Sequence, residues 1–215
     1  FTLLGKKTGA FETVVSRDPA VFERKSLAGF DAVFLNNTVG NLFEDPALRR
    51  NLADFVYAGG GLLGVHGTTV AFTRWPGAHE DWPEFGLLLG ARGARHRASD
   101  ERVAITLDDP GHPLNVPFGG KGFEYQDELF RVDPPYSRDR VRVLLSIDNE
   151  RTKAIQGAAW GQPLRPDEDY ALAWVKGHGR GRVFYSTIGH NPHVFSDRVK
   201  LKFNQGAIQF ARGDL

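Results

Sequence analysis

The chain has 215 residues, a formal net charge of +1, 41% hydrophobic residues and 25% charged residues, a composition typical of an ordinary globular protein. The near-neutral charge gives no basic field to attract nucleic acid, and no apolar run reaches the roughly 20 residues needed to span a bilayer. The chain contains no cysteine, which excludes disulfides and cysteine nucleophiles. We therefore expect a soluble protein with a single domain over residues 1–215.

The predicted elements alternate between helices and strands. A helix near the start is expected to stop at Gly9, and residues 11–15 alternate like a strand. The later predicted elements are a strand over 31–36, a helix from 46 that ends at the glycines 59–61, a buried strand over 62–65, strands over 103–107, 122–130 and 141–147, a hairpin of 170–175 with 182–187, and a final helix through 199–211. The strand-helix-strand order predicts an α/β fold with a mostly parallel sheet, helices on both faces and added antiparallel strands.

The glycines at 59, 61 and 64 match the spacing of a dinucleotide-binding fingerprint. That fingerprint needs the glycines after a strand and at the start of a helix, where free amides meet the pyrophosphate. Here they follow a predicted helix and precede a predicted strand. The context argues against a nucleotide site, and we expect no cofactor.

His66 is the central residue of Gly64-Val65-His66-Gly67-Thr68, directly after the buried strand. Small neighbours at this spacing favour a nucleophile elbow, which exposes the central side chain at the end of the sheet where ligands bind in open α/β folds. Histidine is more often an acid, a base or a ligand than a covalent nucleophile. The alternative is a histidine that is hydrogen-bonded beneath a loop.

His190 closely follows the last predicted strand and should also lie at a sheet end. His190 and His193 have the spacing of a metal-binding pair, but Pro192 disrupts helical presentation and no third ligand is evident. We therefore expect no metal site.

Several further polar and aromatic residues are candidates for the same pocket. Asp127 and Glu128 interrupt an aromatic segment, and strand alternation lets only one of them face a given pocket. Glu128 could support a histidine, although a surface ion pair is an equal alternative. Ligand contacts are predicted for residues at a strand end, at the elbow and in the following loop, with capping or packing as the alternatives: Asn36, Asn37, Thr68, Trp75 and Asp127.

The sequence resembles the trehalose-utilisation, ThuA-like domain family. The similar segments run in the family's order over nearly the whole chain: 58–66, 88–92, 109–113, 127–130, and 179–185 followed by Gly189 and His190. The family's first strand is expected to be missing here, in keeping with a chain that starts at Phe1 and contains no methionine. The missing start leaves both a cytoplasmic and an exported location open.

The resemblance implies a flavodoxin-like fold of the class I glutamine amidotransferase type. In those enzymes the elbow holds a cysteine, whereas here it holds His66, so glutaminase chemistry is rejected. The resemblance also implies carbohydrate catabolism, with a disaccharide or an oxidised 3-keto glycoside as the ligand. Our hypothesis is a hydrolase or lyase in which His66 and His190 act as acid and base and Glu128 supports them.

Two other functions fit the same residues. One is a non-catalytic domain that binds carbohydrate or a protein partner and has lost the chemistry of the fold. The other is a subunit whose exposed patch mediates assembly, for example into a homo-oligomer.

Overall fold

A computed structural model describes residues 1–74 and 80–215, except for the side chain of residue 94. The helices are α1 (Thr2–Thr8), α2 (Arg24–Leu27), α3 (Pro46–Tyr57), α4 (Pro83–Leu89), α5 (Asn149–Gln156) and α6 (Arg198–Arg212). The strands are β1 (Ala32–Asn36), β2 (Gly61–Val65), β3 (Arg92–Arg95), β4 (Glu101–Leu107), β5 (Phe123–Asp127), β6 (Arg131–Asp133), β7 (Arg142–Ile147), β8 (Ala171–His178) and β9 (Gly181–Ser186). Short 3-10 helices cover Pro19–Phe22, His66–Val70, Pro113–Phe118, Gly157–Trp160 and Pro192–Phe195.

Among the described residues, a seven-stranded sheet has the order β1-β2-β9-β8-β7-β4-β5, and β3 pairs with β6 in a second, two-stranded sheet. β1, β2 and β9 are parallel neighbours, and every later neighbouring pair is antiparallel. Five of the seven strands nevertheless point the same way, because β7 and β5 are each separated from the parallel group by reversed strands. The predicted flavodoxin-like α/β fold is confirmed, and its added antiparallel strands form one half of the sheet.

Helices cover both faces of this sheet, as the sequence predicted. Leu62 of β2 belongs to the hydrophobic cluster that includes Leu52 and Val56 of α3. Its neighbour Leu63 belongs to the opposite cluster, which includes Phe203 of α6. Because successive side chains of a strand point to opposite faces, β2 is buried on both sides and contains only apolar residues and glycine.

Two predicted strands differ from the structure. Residues 11–15 form no strand, because the segment lies outside both sheets and leaves Val14 and Val15 exposed. The strand predicted over 122–130 ends at Asp127, which is the last residue to pair with β4 and whose carboxylate binds a distant loop. The chain then continues into β6, which pairs with β3.

The common strand direction determines where a site can form. The carboxyl ends of β1, β2, β9 and β5 lie at one edge of the sheet, and the segments that follow them carry polar side chains. Open α/β folds bind ligands at this edge. Among the described residues, no helix combines the length and the apolar character needed to cross a membrane.

Candidate functional site

His66 lies in a sharp turn between β2 and the 3-10 helix that follows it. Its φ of 47° falls in the left-handed region, which non-glycine residues adopt rarely and at an energetic cost. The next position is crowded, since a Cβ on Gly67 would come within 2.6 Å of Asn37 Oδ1. The Gly67 amide donates to that oxygen at 2.9 Å, and the Tyr185 hydroxyl donates to the His66 carbonyl at 2.8 Å. These bonds hold the strained turn in place.

The two ring nitrogens of His66 have different partners. Nδ1 lies 2.9 Å from the carbonyl oxygen of Thr187, which can only accept, so we assign the proton to Nδ1. Nε2 lies 3.2 Å from Oε1 of Glu128. Burial lowers the pKa of His66 below its ordinary value, while the Thr187 carbonyl and the Glu128 charge act in the opposite direction. The neutral ring therefore presents the lone pair of Nε2 to Glu128.

Glu128 joins two histidines. Its second oxygen, Oε2, lies 3.5 Å from Nδ1 of His96, whose side chain is 37% exposed. The ring of Phe130 packs beside both histidines, with centroids 4.0 Å from His66 and 5.8 Å from His96. The carboxylate is thus held between a buried and a partly exposed imidazole, and both imidazoles pack against the same aromatic ring.

Asp127 is completely buried and positions the loop that carries His190. Its carboxylate accepts the backbone amides of Gly189 at 2.8 Å, His190 at 3.2 Å and Asn191 at 2.8 Å. Charge-assisted bonds of this kind are stronger than those between neutral groups. Because Asp127 and Glu128 are adjacent, one carboxylate fixes the loop while the other contacts His66.

The site therefore brings the three predicted catalytic residues together. The rings of His66 and His190 have centroids 5.0 Å apart, and ligating atoms of His66, Glu128 and His190 all lie within 4.8 Å of one another. His190 is exposed and His66 is buried. A cluster of two imidazoles and a carboxylate can exchange protons with a substrate or hold a transition metal. His193 instead packs against Tyr125, with ring centroids 5.7 Å apart.

The predicted ligand-contacting residues occupy different surroundings. Thr68 is completely buried and its hydroxyl donates to the Leu35 carbonyl at 2.8 Å, so it supports the turn rather than facing a ligand. Both oxygens of Asp127 bind backbone amides, and Asn37 holds Gly67. Asn36 is exposed at the end of β1. Trp75 lies outside the described residues.

Sequence reasoning missed three residues that support the cluster. His96 follows β3, and the pairing of β3 with β6 brings it beside Phe130. Thr187 contributes its carbonyl to His66 and its hydroxyl to the Phe130 amide at 2.8 Å. Lys200 is buried, donates to Ser186 Oγ at 2.9 Å and interacts through its charge with Asp127, which fixes the loop of His190. Only Thr187 had a detectable signal in the sequence, because it is the last residue of the predicted strand 182–187, three residues before His190.

The fold and the cluster together define a flavodoxin-like α/β protein with a histidine and carboxylate site at the elbow. The family profile of ThuA, described as trehalose utilisation, matches residues 1–211. The chain belongs to the ThuA family. No curated protein matches the sequence.

Solved structures of ThuA-like proteins have the same fold. A ThuA-like protein from Bacteroides uniformis is 20% identical, with a TM-score of 0.74 over 98% of this chain and 82% of that one. A ThuA-like protein from Parabacteroides merdae is 17% identical, with a TM-score of 0.67 over 99% and 83%. A protein from Salmonella typhimurium that is described as cytoplasmic is 15% identical, with a TM-score of 0.66 over 97% and 84%.

We predict that Asp127→Asn lowers the free energy of unfolding by about 3 kcal/mol, because the neutral amide cannot accept three backbone donors as the carboxylate does. Urea denaturation of both proteins measures the difference. Asp139→Asn is the matched control, since Asp139 is exposed and its loss should change stability by less than about 0.5 kcal/mol. Equal stability of the two variants would contradict the proposed role of Asp127.

Lys200 predicts a pH dependence of stability. Burial lowers its pKa from 10.5 to about 7, against the opposing charges of Asp127 and Asp197. Between these two values the unfolded chain binds a proton that the folded chain does not, so the free energy of unfolding rises with pH across this window. Lys200→Met removes this contribution.

Urea denaturation of wild type and Lys200→Met at about pH 6, 8 and 9.5 tests this prediction. We expect the stability of the wild type relative to the variant to increase at each step. A difference that stays constant with pH would show that Lys200 remains charged in the folded protein.

Proposed function

We propose that this protein is an enzyme of carbohydrate catabolism that acts on a disaccharide or its oxidised 3-keto glycoside. The observation that carries the proposal is the convergence of His66, Glu128 and His190 at the carboxyl edge of the sheet. The link to trehalose utilisation comes from the family. The strained turn at His66 adds support, because backbone strain concentrates at functional sites.

A keto group makes the chemistry accessible to histidines. It acidifies the neighbouring C–H, so a base can remove that proton while the adjacent bond to the glycosidic oxygen breaks. The leaving oxygen takes a proton from an acid, which gives an unsaturated keto sugar and the released partner sugar. Water can then add across the double bond. This route needs no pair of carboxylates of the kind that ordinary glycosidases use.

The two histidines are suited to these proton transfers in different ways. Nε2 of His66 carries an acceptor lone pair, because Nδ1 donates to Thr187, and Glu128 stabilises the ring when it gains a proton. His190 is exposed and can meet the leaving oxygen. In this proposal His66 is the base, His190 is the acid and Glu128 is the supporting carboxylate. The absence of cysteine excludes the thioester of a glutaminase.

The proposal is tested by measuring sugar release from 3-keto-trehalose and from trehalose by wild type, His66→Ala, His190→Ala and His193→Ala. We expect turnover of the keto sugar by the wild type and a loss of at least about 100-fold in kcat for His66→Ala and His190→Ala, the range for a general acid or base. His193→Ala is the control, because His193 is an exposed histidine three residues from His190 that packs against Tyr125.

Two results would contradict the proposal. Wild-type turnover that persists in both His66→Ala and His190→Ala would place the chemistry elsewhere. Sugar binding by the wild type with no release from either sugar would favour a non-catalytic carbohydrate-binding domain, whose affinity would also survive loss of His66.

A further inference from the structure

We infer that Nε2 of His66, the carboxylate of Glu128 and a ring nitrogen of His190 form a binding site for a divalent transition metal, with Zn²⁺ as the best-matched ion. This inference rests on the proposed function only for the role of the ion. The binding site itself follows from the geometry of the three side chains.

The three ligating atoms are close to coordination distance. They lie within 4.8 Å of one another, whereas ligands of tetrahedral zinc at about 2.0 to 2.1 Å are separated by roughly 3.4 Å. Closing the gap requires only a small movement of one side chain. The exposed ring of His190 can make that movement, while His66 stays fixed by its bond to the Thr187 carbonyl.

The contact between His66 and Glu128 favours a cation. With the proton on Nδ1, the lone pair of Nε2 faces a carboxylate oxygen at 3.2 Å, so two acceptors point at each other. A bound cation converts this repulsion into two ligand bonds. The arrangement also matches a common feature of metal sites, in which the second nitrogen of a ligating histidine donates to a backbone carbonyl.

His96 and Asp127 supply the outer contacts that such a site needs. His96 lies 3.5 Å from the second oxygen of Glu128 and can orient the carboxylate, leaving Oε1 for the ion. Asp127 fixes the backbone of His190. Outer contacts of this kind orient ligands and typically change metal affinity by about 10- to 100-fold.

The ligand set selects the class of ion. Two imidazoles and one carboxylate suit Zn²⁺ and other divalent transition metals, whereas Mg²⁺ and Ca²⁺ prefer oxygen ligands. Three protein ligands leave positions open, which is the pattern of a catalytic site rather than a structural one.

An ion between His66 and the exposed His190 could bind and polarise a keto or hydroxyl oxygen of the sugar. In the ion-bound protein His66 and His190 are ligands, so their acid and base roles apply to the ion-free protein alone.

The test measures Zn²⁺ binding to untagged, EDTA-treated and dialysed protein by competition with a chromogenic chelator. Co²⁺ absorption then reports the coordination geometry. We expect one tight site per chain in wild type, with affinity at least about 100-fold weaker in His190→Ala and Glu128→Gln and about 10-fold weaker in His96→Ala. His193→Ala should bind like wild type. Circular dichroism verifies that each variant folds, and His190→Ala alters an exposed side chain.

The outcomes separate this inference from the proposed function. Wild-type protein without saturable Zn²⁺ binding, or undiminished binding in both His190→Ala and Glu128→Gln, would overturn the metal site. If metal-free protein turns over 3-keto-trehalose at the full rate and the protein does not bind Zn²⁺, the metal site is overturned while the enzyme proposal stays intact. Zn²⁺ binding by the wild type that is lost in both His190→Ala and Glu128→Gln would support the metal site. If the wild type then releases no product from either sugar, the proposed reaction is contradicted.

Discussion

The candidate site depends on the carboxylate of Asp127. This buried side chain accepts three successive backbone amides, from Gly189 to Asn191, and so attaches the edge strand β5 to the loop after β9. In sheet order these strands are separated by β8, β7 and β4. Without the Asp127 carboxylate, the adjacent Glu128 and the loop with His190 would have no common anchor. A buried carboxylate is costly unless it is satisfied, and the three amides provide that satisfaction.

The second constraint is the turn at His66. The sharp change of direction after β2 requires a left-handed backbone at a residue with a Cβ, and hydrogen bonds from Tyr185 and to Thr187 stabilise the main chain and the ring. His66 consequently has a fixed position and a fixed tautomer. His190 has a fixed backbone but an exposed side chain. The site thus combines one immobile imidazole with one that can adjust.

Much of the fold could be predicted because its signals are local. Short local sequence patterns predict the buried strand before His66, the glycine turn and the amphipathic final helix. The pairing of β3 with β6 could not be predicted, since short strands about 36 residues apart carry no pattern that identifies their partners. Residues 11–15 were predicted as a strand but form none, because an alternating pattern does not supply a neighbouring strand to pair with.

The sequence predicted the main residues of the candidate site, but not the hydrogen bonds and contacts that join them. His66 and His190 follow predicted strands, so their meeting at one sheet edge follows from topology. The roles of Asp127 and Thr68 depend on which backbone groups remain to be satisfied in the folded chain, which no sequence spacing reveals. His96 reaches Glu128 only through the small sheet.

The division between a fixed and an adjustable histidine has a consequence for protein engineering. The elbow is closely packed, because a Cβ at Gly64 or Gly67 would meet neighbouring side chains at 2.9 Å or less. Randomising this turn would yield mostly misfolded chains. The exposed positions Pro192 and His193 follow His190 closely in the chain and contribute little to the core. Directed evolution of the proposed activity should therefore begin in that loop, where sequence can vary while the scaffold remains intact.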